Sequence, residues 1–375
     1  MNLDFLRPVY KQIGAYVSVY LDTDRAHEEA AQAIELRWHA AREELAAAGA
    51  SPASLAAVAA AVDGGGEAAR GRAIFARDGA VAFAANLDSP PRRPIARLAP
   101  LPHLMPLLAQ HRAPVPYLLV SATHEGGEIV AVGGTGAQWR DSIEGHGWPV
   151  HKTSVGGWSQ DRYQRSVEEA WDENAKALAT EVTAVASRIG AGHVIVAGDV
   201  RARSLLLSHL ATPLVESAAV IEEEIAADSP AMAKAADRAL SRWAERRSRE
   251  RFDDWQARLA HGLAVEGLAQ VMAAFRDGQV SDLFVADDPT SNAAAWIGPA
   301  GHDLAVSRDE LLERNVPDPV PDRADAALVR AVVLTDAELH FLPADLVETG
   351  DPAARGDIAR PRDGVAATLR FSLTG

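Results

Sequence analysis

At 375 residues the chain exceeds what one ordinary hydrophobic core accommodates, so two or three modules are expected. Hydrophobic residues make up 48% and charged residues 24%, the balance of a globular protein rather than a disordered or fibrous one. Lys and Arg number 37 against 52 Asp and Glu; the net charge of -15 repels polyphosphate at long range, which excludes a non-specific nucleic-acid binder and leaves RNA contact to a local basic surface. The chain has no cysteine, which removes disulfides, thiolate nucleophiles and Cys-based metal sites. No apolar run reaches the ~18 residues of a membrane span, and no signal-like segment opens the sequence, so the expectation is a cytoplasmic protein without membrane contact.

In chain order, "GAYVSVYLDTD" (14–24) alternates apolar and polar residues and predicts a strand ending in an Asp-Thr-Asp turn. Ala-rich helical stretches follow over 26–63, closed by the glycines at 64–66. "GRAIFARDGAVAFAANL" (71–87) predicts a hairpin around Asp78-Gly79. "SPPRRP" interrupts the sheet, "LPHLMPLLAQH" reads as helix, and Pro114 and Pro116 mark a boundary. A second module opens with two strands around Glu125-Gly126-Gly127, then a loop rich in Gly and His, then a long helix. Along that helix Tyr163, Val167, Trp171, Leu178, Val182, Val185 and Ile189 form an apolar stripe that predicts core. "GHVIVAGDV" reads as a buried strand and "SLLLSHL" as a helix, giving an α/β layer. From 230 a charged helix begins, and "AVEGLAQVMAAFRDGQVSDLFVADD" reads as helix, Asp-Gly turn and strand. Further strands are expected near 328–342 and at "GVAATLRFSL". The fold class is α/β (α+β) multidomain, with domains at 1–113, 114–232 and 233–375 and no internal repeat.

The familiar catalytic signatures are missing. There is no phosphate-binding G-x-x-x-x-G-K-[ST], no G-x-S-x-G elbow and no G-x-G-x-x-G between a strand and a helix. His146, His151 and His193 lack the i, i+4 pairing of a helical zinc site, so no metal and no cofactor is expected. Ser159 with His151 lacks a third orienting group, and Ser159 reads instead as a helix N-cap with Gln160 and Asp161 in the first turn. The arginines at 238, 242, 246, 247, 249 and 251 alternate with acids and read as a solvated helix face. At 139–165 the pattern differs: Arg140, His146, His151, Lys152, Arg162 and Arg165 surround a glycine-bearing loop with Trp139, Trp148 and Trp158. Cations for phosphate together with aromatics for stacking suit looped or single-stranded RNA.

The stretch "GGWSQDRYQR" resembles, without a gap, the tip loop of the archaeo-eukaryotic peptide-chain release factor 1 and Pelota family, in which Gly-Gly-Gln-Ser precedes a helix with Arg, an aromatic and Arg. Gly156, Gly157, Ser159, Arg162, Tyr163 and Arg165 match, and Trp158 stands at the glutamine position. The helix-turn-strand at 264–288 and "RDGVAATLRFSL" resemble that family's C-terminal domain. "GWPVHK" and the "GW" of the loop are most similar to the bacterial branch, to which the ribosome hibernation factor Balon belongs.

The resemblance implies three α/β domains in release-factor order and a protein that enters the ribosomal A site like a tRNA. It implies a tip of His151, Lys152, Gly156, Gly157, Trp158, Ser159 and Gln160 at the peptidyl-transferase centre, with Arg162 and Arg165 on rRNA. Its C-terminal domain would meet elongation factor Tu or another translational GTPase. An indole at 158 does not orient water as an amide does. The N-terminal module lacks Asn-Ile-Lys-Ser and Tyr-x-Cys, so stop-codon reading is not implied. The expectation is a non-hydrolytic factor acting in hibernation or stalled-ribosome recognition. The alternatives are a peptidyl-tRNA hydrolase using Gln160, or an interaction protein that keeps the fold without the ribosome.

Overall fold

The computed structural model describes residues 1, 3–26, 29–62, 64, 69–110, 116–133, 138–144, 157–223, 225–288, 291–342 and 360–371; at 143–144 and 157–164 the backbone alone is described. The first module contains α1 (Arg7–Tyr10), β1 (Tyr16–Asp22), α2 (Ala30–Ala47), α3 (Pro52–Val62), β2 (Gly71–Arg77), β3 (Ala80–Leu87), β4 (Ile95–Ala99) and α4 (Met105–Gln110). Its antiparallel sheet runs β3-β2-β1-β4. The expected hairpin forms at Asp78 and Gly79, both at positive φ (52° and 79°), the twist that matches two tightly joined strands. Successive residues of β1 point to opposite faces. Val17, Val19 and Leu21 pack with Ile34 and Leu45 of α2 and Val58 of α3, whereas Tyr16 and Tyr20 enter a different core.

The second module contains β5 (Tyr117–Thr123), β6 (Gly126–Val132), β7 (Gln138–Glu144), α5 (Gly157–Ile189), β8 (His193–Gly198), α6 (Val200–His209), α7 (Thr212–Glu216), β9 (Ala219–Val220) and the beginning of α8 (Pro230–Ala260). Its sheet runs β7-β6-β5-β8-β9, with β5, β8 and β9 parallel and β6 and β7 antiparallel at one edge. Leu118, Val120 and Val196 meet Leu178, Val182 and Leu206 on one face. Leu119, Val130 and Ile195 meet Met232 and Ala236 on the other. Helices on both faces explain why β5 and β8 read as nearly continuous apolar runs.

The remainder contains β10 (Ala264–Glu266), α9 (Leu268–Arg276), β11 (Val280–Val285), β12 (Ala294–Ile297), β13 (Leu304–Ala305), α10 (Arg308–Glu313), β14 (Val320–Arg323), α11 (Ala324–Thr335), β15 (Glu338–Phe341) and β16 (Val365–Leu369). They form one sheet in the order β10-β16-β11-β15 and a smaller one in the order β13-β12-β14. The strands expected over 328–342 are corrected here: the chain is helical to Thr335, and only β15 is extended. Residues from Ala324 to Val333 are nearly all buried, so the helix is apolar around its circumference and lacks the polar face that would mark its period.

By contact the molecule divides into two compact units, Met1–Arg112 with Arg247–Gly375, and Ala113–Arg246. Nearly all of the first expected domain and residues 247–375 of the third therefore lie in one unit, and the boundary between units falls inside α8. A single core draws Leu3, Tyr10, Tyr20, Phe75 and Leu104 from the first module and Val271, Phe275, Leu283, Leu328 and Val332 from the last. Polar contacts stitch the same seam. Asp322, whose side chain is fully enclosed, accepts from the Arg97 guanidinium and, at 2.7 Å, from the backbone N–H of Leu101.

His103 is buried at this seam, 3.8 Å from Asp325. Burial pushes its imidazole down to about 4; Arg323, Arg97 and Arg93 add to the effect and Asp325 opposes it. A folded-state value below the unfolded one means that the unfolded chain binds the extra proton first. Neutral His103 is therefore compatible with the full stability above ~pH 6.5, and stability falls as pH drops from there towards 4, by roughly 3 kcal/mol in total. Denaturant unfolding at a series of pH values should give a shallower acid slope for His103→Gln than for the parent; equal slopes would contradict this assignment.

Candidate functional site: the long helix of the second unit and the strand ends beside it

At 33 residues, α5 is about 50 Å long. Among its described side chains, those in the hydrophobic core belong to its C-terminal half, where Leu178, Val182 and Val185 are buried; Val167 and Trp171, earlier in the expected stripe, are half-buried. The helix begins at Gly157, so Gly157, Trp158, Ser159, Gln160 and Arg162 occupy its first turns. Ser159 is thus inside the helix rather than at its N-cap, a correction to the sequence reading, while Gln160 is helical as expected. Arg165 is exposed. His146, Trp148, His151, Lys152 and Gly156 lie outside the described residues.

The basic and aromatic cluster expected around this loop does not form as a whole. Trp139 and Arg140 belong to β7, which the sequence did not reveal. Arg140 forms an ion pair with Asp228 at 2.8 Å. Trp139 lies under the Arg188 guanidinium, 5.1 Å from its ring centroid. Arg188 is 31 residues along α5 from Gly157, a separation of about 46 Å along the axis. Trp139 therefore lies by the opposite end of the helix, while Arg140, paired across the sheet with Val130, faces the other side, towards α8.

A cluster not anticipated from sequence sits where β5 and β8 end. His124, just after β5, stacks on Trp171 of α5 with centroids 3.8 Å apart, and its Nε2 lies 3.1 Å from Asp199. Asp199 follows β8 and caps α6 by accepting from the backbone N–H groups of Arg201 and Ala202. The hydrogen bond from Ala202, assisted by His124 and the second backbone donor, holds the Asp199 carboxyl below the usual range. Arg201 reaches over the Trp171 ring and pairs with Glu168 at 2.7 Å, and His209 meets Asp172 at 2.7 Å. Gly198 has φ +111°, and a Cβ there would lie 2.0 Å from the Ala122 carbonyl oxygen, so a side chain would part the two strands.

The cluster edges a cleft of about 780 Å³ lined by Ser121, Thr123, His124, Glu128, Ser142 and Asp199. The carboxyl ends of parallel strands are where open α/β sheets bind ligands. Here, however, the functional groups are committed to one another. His124 is held between Asp199 and Trp171, and the outcome is a brace that fixes α5 against α6. The sequence did carry one signal for it, an Asp between a strand-ending glycine and a helix, the pattern of an N-cap.

The second unit is an open α/β domain that carries a long helix beginning at Gly157. Residues 116–261 match the family model described as bacterial archaeo-eukaryotic release factor family 2. Two uncharacterized proteins from strains of Mycobacterium tuberculosis are 29% identical to it over 387 aligned positions, covering 100% of this chain and 98% of theirs. Among solved structures, an archaeal translation termination factor aligns at 17% identity over 98% of this chain and 96% of its own, with a TM-score of 0.26. Archaeoglobus fulgidus Pelota aligns at 16% over 81% and 80%, with a TM-score of 0.35. Archaeal Pelota, from a model of ribosome-bound Pelota and ABCE1, aligns at 15% over 99% and 96%, with a TM-score of 0.38. No helix among the described residues is long and apolar enough to cross a membrane.

Replacing Asp199 by Ala removes the cap of α6 and the anchor of His124, and should cost about 1 kcal/mol or somewhat more in urea unfolding. Asn, an equally good cap, should restore most of it. A neutral Asp199→Ala would show that the brace carries no stability.

Proposed function

We propose that this protein is a ribosome-associated factor that occupies the A site in the manner of a release factor without hydrolysing peptidyl-tRNA. The observation that carries the reading is the position of Gly157: within the segment that matches the family, it opens a 33-residue helix whose residues in the hydrophobic core lie in the distal half. Such a helix presents its first turns as a tip. Glycine lacks a Cβ and allows the backbone close approach to packed RNA. On this reading Gly156, Gly157, Trp158, Ser159 and Gln160 enter the peptidyl-transferase centre, with His151 and Lys152 on the approach and Arg162 and Arg165 on rRNA phosphates. The first module faces the decoding site without reading a codon, and the last meets a translational GTPase such as elongation factor Tu.

Trp158 in place of glutamine argues for occupation rather than release. Gln160 is already in the first helical turn, two residues from the glutamine position. A factor of this kind serves idle or stalled ribosomes, in hibernation or stalled-ribosome recognition, and the overall charge of -15 leaves the work of rRNA contact to a few local cations.

The protein should co-sediment with vacant bacterial ribosomes. Arg162→Glu with Arg165→Glu should weaken that association and reduce its salt slope by about 2, because each arginine neutralises one phosphate. Trp158→Ala should leave the melting temperature unchanged and lower occupancy. Absence of co-sedimentation by the wild type, with elongation factor Tu present, would refute the assignment. Release of peptide from a stalled complex that disappears in Gln160→Ala would replace it with the hydrolytic reading.

A further inference from the structure

Helical spacing among the histidines offers no metal site, but strand pairing brings together a different set. β11 and β15 are parallel neighbours in which Asp282 lies opposite Glu338 and Phe284 opposite His340. Residues two apart on a strand share a face, so Asp282, Glu338 and His340 converge. His340 Nε2 is 2.9 Å from Asp282 Oδ1 and 3.5 Å from Glu338 Oε2, and the three donor atoms all lie within 4.8 Å of one another. Donors around one zinc-sized ion, each about 2.0–2.1 Å from it, are separated by roughly 3–3.4 Å.

The surroundings hold these donors in place. Asp282 Oδ2 accepts from Thr368 Oγ1 at 2.7 Å and from Ser281 Oγ at 2.9 Å, which turns Oδ1 towards His340. Phe284 stacks on the imidazole with centroids 5.2 Å apart. Burial opposes ionisation of Asp282, yet the hydrogen bonds from His340, Thr368 and Ser281 outweigh it and keep the carboxyl well below its ordinary range. Outer-shell groups that fix ligand orientation in this way are typical of metal sites. Two cations compete: the Arg251 guanidinium lies 3.3 Å from the same Asp282 Oδ1, and the Met1 ammonium lies 3.6 Å from Glu338 Oε2 while donating to the Leu339 carbonyl at 2.9 Å. Arg251 is about a third exposed and sits on α8, so it can swing towards solvent when a dication takes its place, and the ammonium keeps its carbonyl partner when Glu338 turns to the ion.

We propose that Asp282, Glu338 and His340 form a binding site for a divalent first-row transition metal, zinc being the probe of choice for one imidazole and two carboxylates. The ion replaces the hydrogen bond between His340 and Asp282, the contact with Arg251 and the ion pair of Glu338 with the Met1 ammonium. Its effect is structural, since β15 is the edge strand of the sheet and the ion would tie it to β11. This site is independent of the ribosomal role.

The full chain, stripped with EDTA, should bind one Zn²⁺ by calorimetry and gain thermal stability from Zn²⁺, while Mg²⁺ at the same concentration gives no gain. Glu338→Gln and His340→Gln should each weaken binding at least tenfold. Glu338 is half exposed, so its variant folds even if that of His340 does not. Arg251→Gln should tighten binding by removing the competing charge. Zn²⁺ binding that is absent in the parent, undiminished in Glu338→Gln, or weaker in Arg251→Gln would overturn the proposal.

Discussion

A carboxylate with no exposed side-chain atom persists in a protein only when its lone pairs are met, and Asp322 meets this condition with donors from a distant part of the chain. Arg97 and the backbone of Leu101 supply them. Breaking either contact leaves charge in a dry environment, so the pairing holds the first hundred residues and the last hundred to one relative position. The apolar residues around it follow the same constraint: Tyr20 and Phe75 on one side and Val271 and Leu328 on the other complete a core that neither module could close alone. The consequence is a molecule of two units rather than three, in which one helix crosses the division. α8 gives Met232 and Ala236 to the core of the second unit, and Phe252 and Trp255 to that of the first.

Local chemistry made part of this legible in the sequence. The Asp78-Gly79 turn, the strand at 193–198 leading into a helix, and the helix, turn and strand within 264–288 formed as read, apart from the short strand β10 at the start of the last, because turn stereochemistry and short-range periodicity decide them. β7 was hidden because its Trp and Arg residues looked like loop contacts to RNA. α11 was mistaken for strand because burial on every side erases a helical period. The union of the outer modules had no local signature at all, since Asp322 and Arg97 are 225 residues apart.

The candidate site divides in the same way. That a long helix follows the glycines with Gln160 inside it was legible, because a 3.6-residue stripe is a local pattern; its start at Gly157, ahead of the expected cap at Ser159, was not. The brace of His124, Trp171 and Asp199 was not: its members are joined by strand order, which brings the ends of β5 and β8 together. Trp139 and Arg140 show the reverse: both are close in sequence to the loop, but β7 carries Trp139 to the far end of α5 and turns Arg140 to the other face of the sheet. A net charge of -15 sets the overall field against polyphosphate, so the placement of individual cations decides where an RNA could be met at all.

The division inside α8 also bears on how the chain folds as it is made. The second unit is one continuous stretch, and all of its partners have been synthesised by residue 246. The first unit begins earlier yet finishes later: β16, the last described strand, lies in the interior of its sheet between β10 and β11. Until that strand arrives, β10 and β11 have no partner between them, and the apolar residues of the first module that await the final hundred remain uncovered. The unit synthesised first is therefore the one completed last, and a chain that stops short of β16 leaves an otherwise intact second unit attached to an open, adhesive partner.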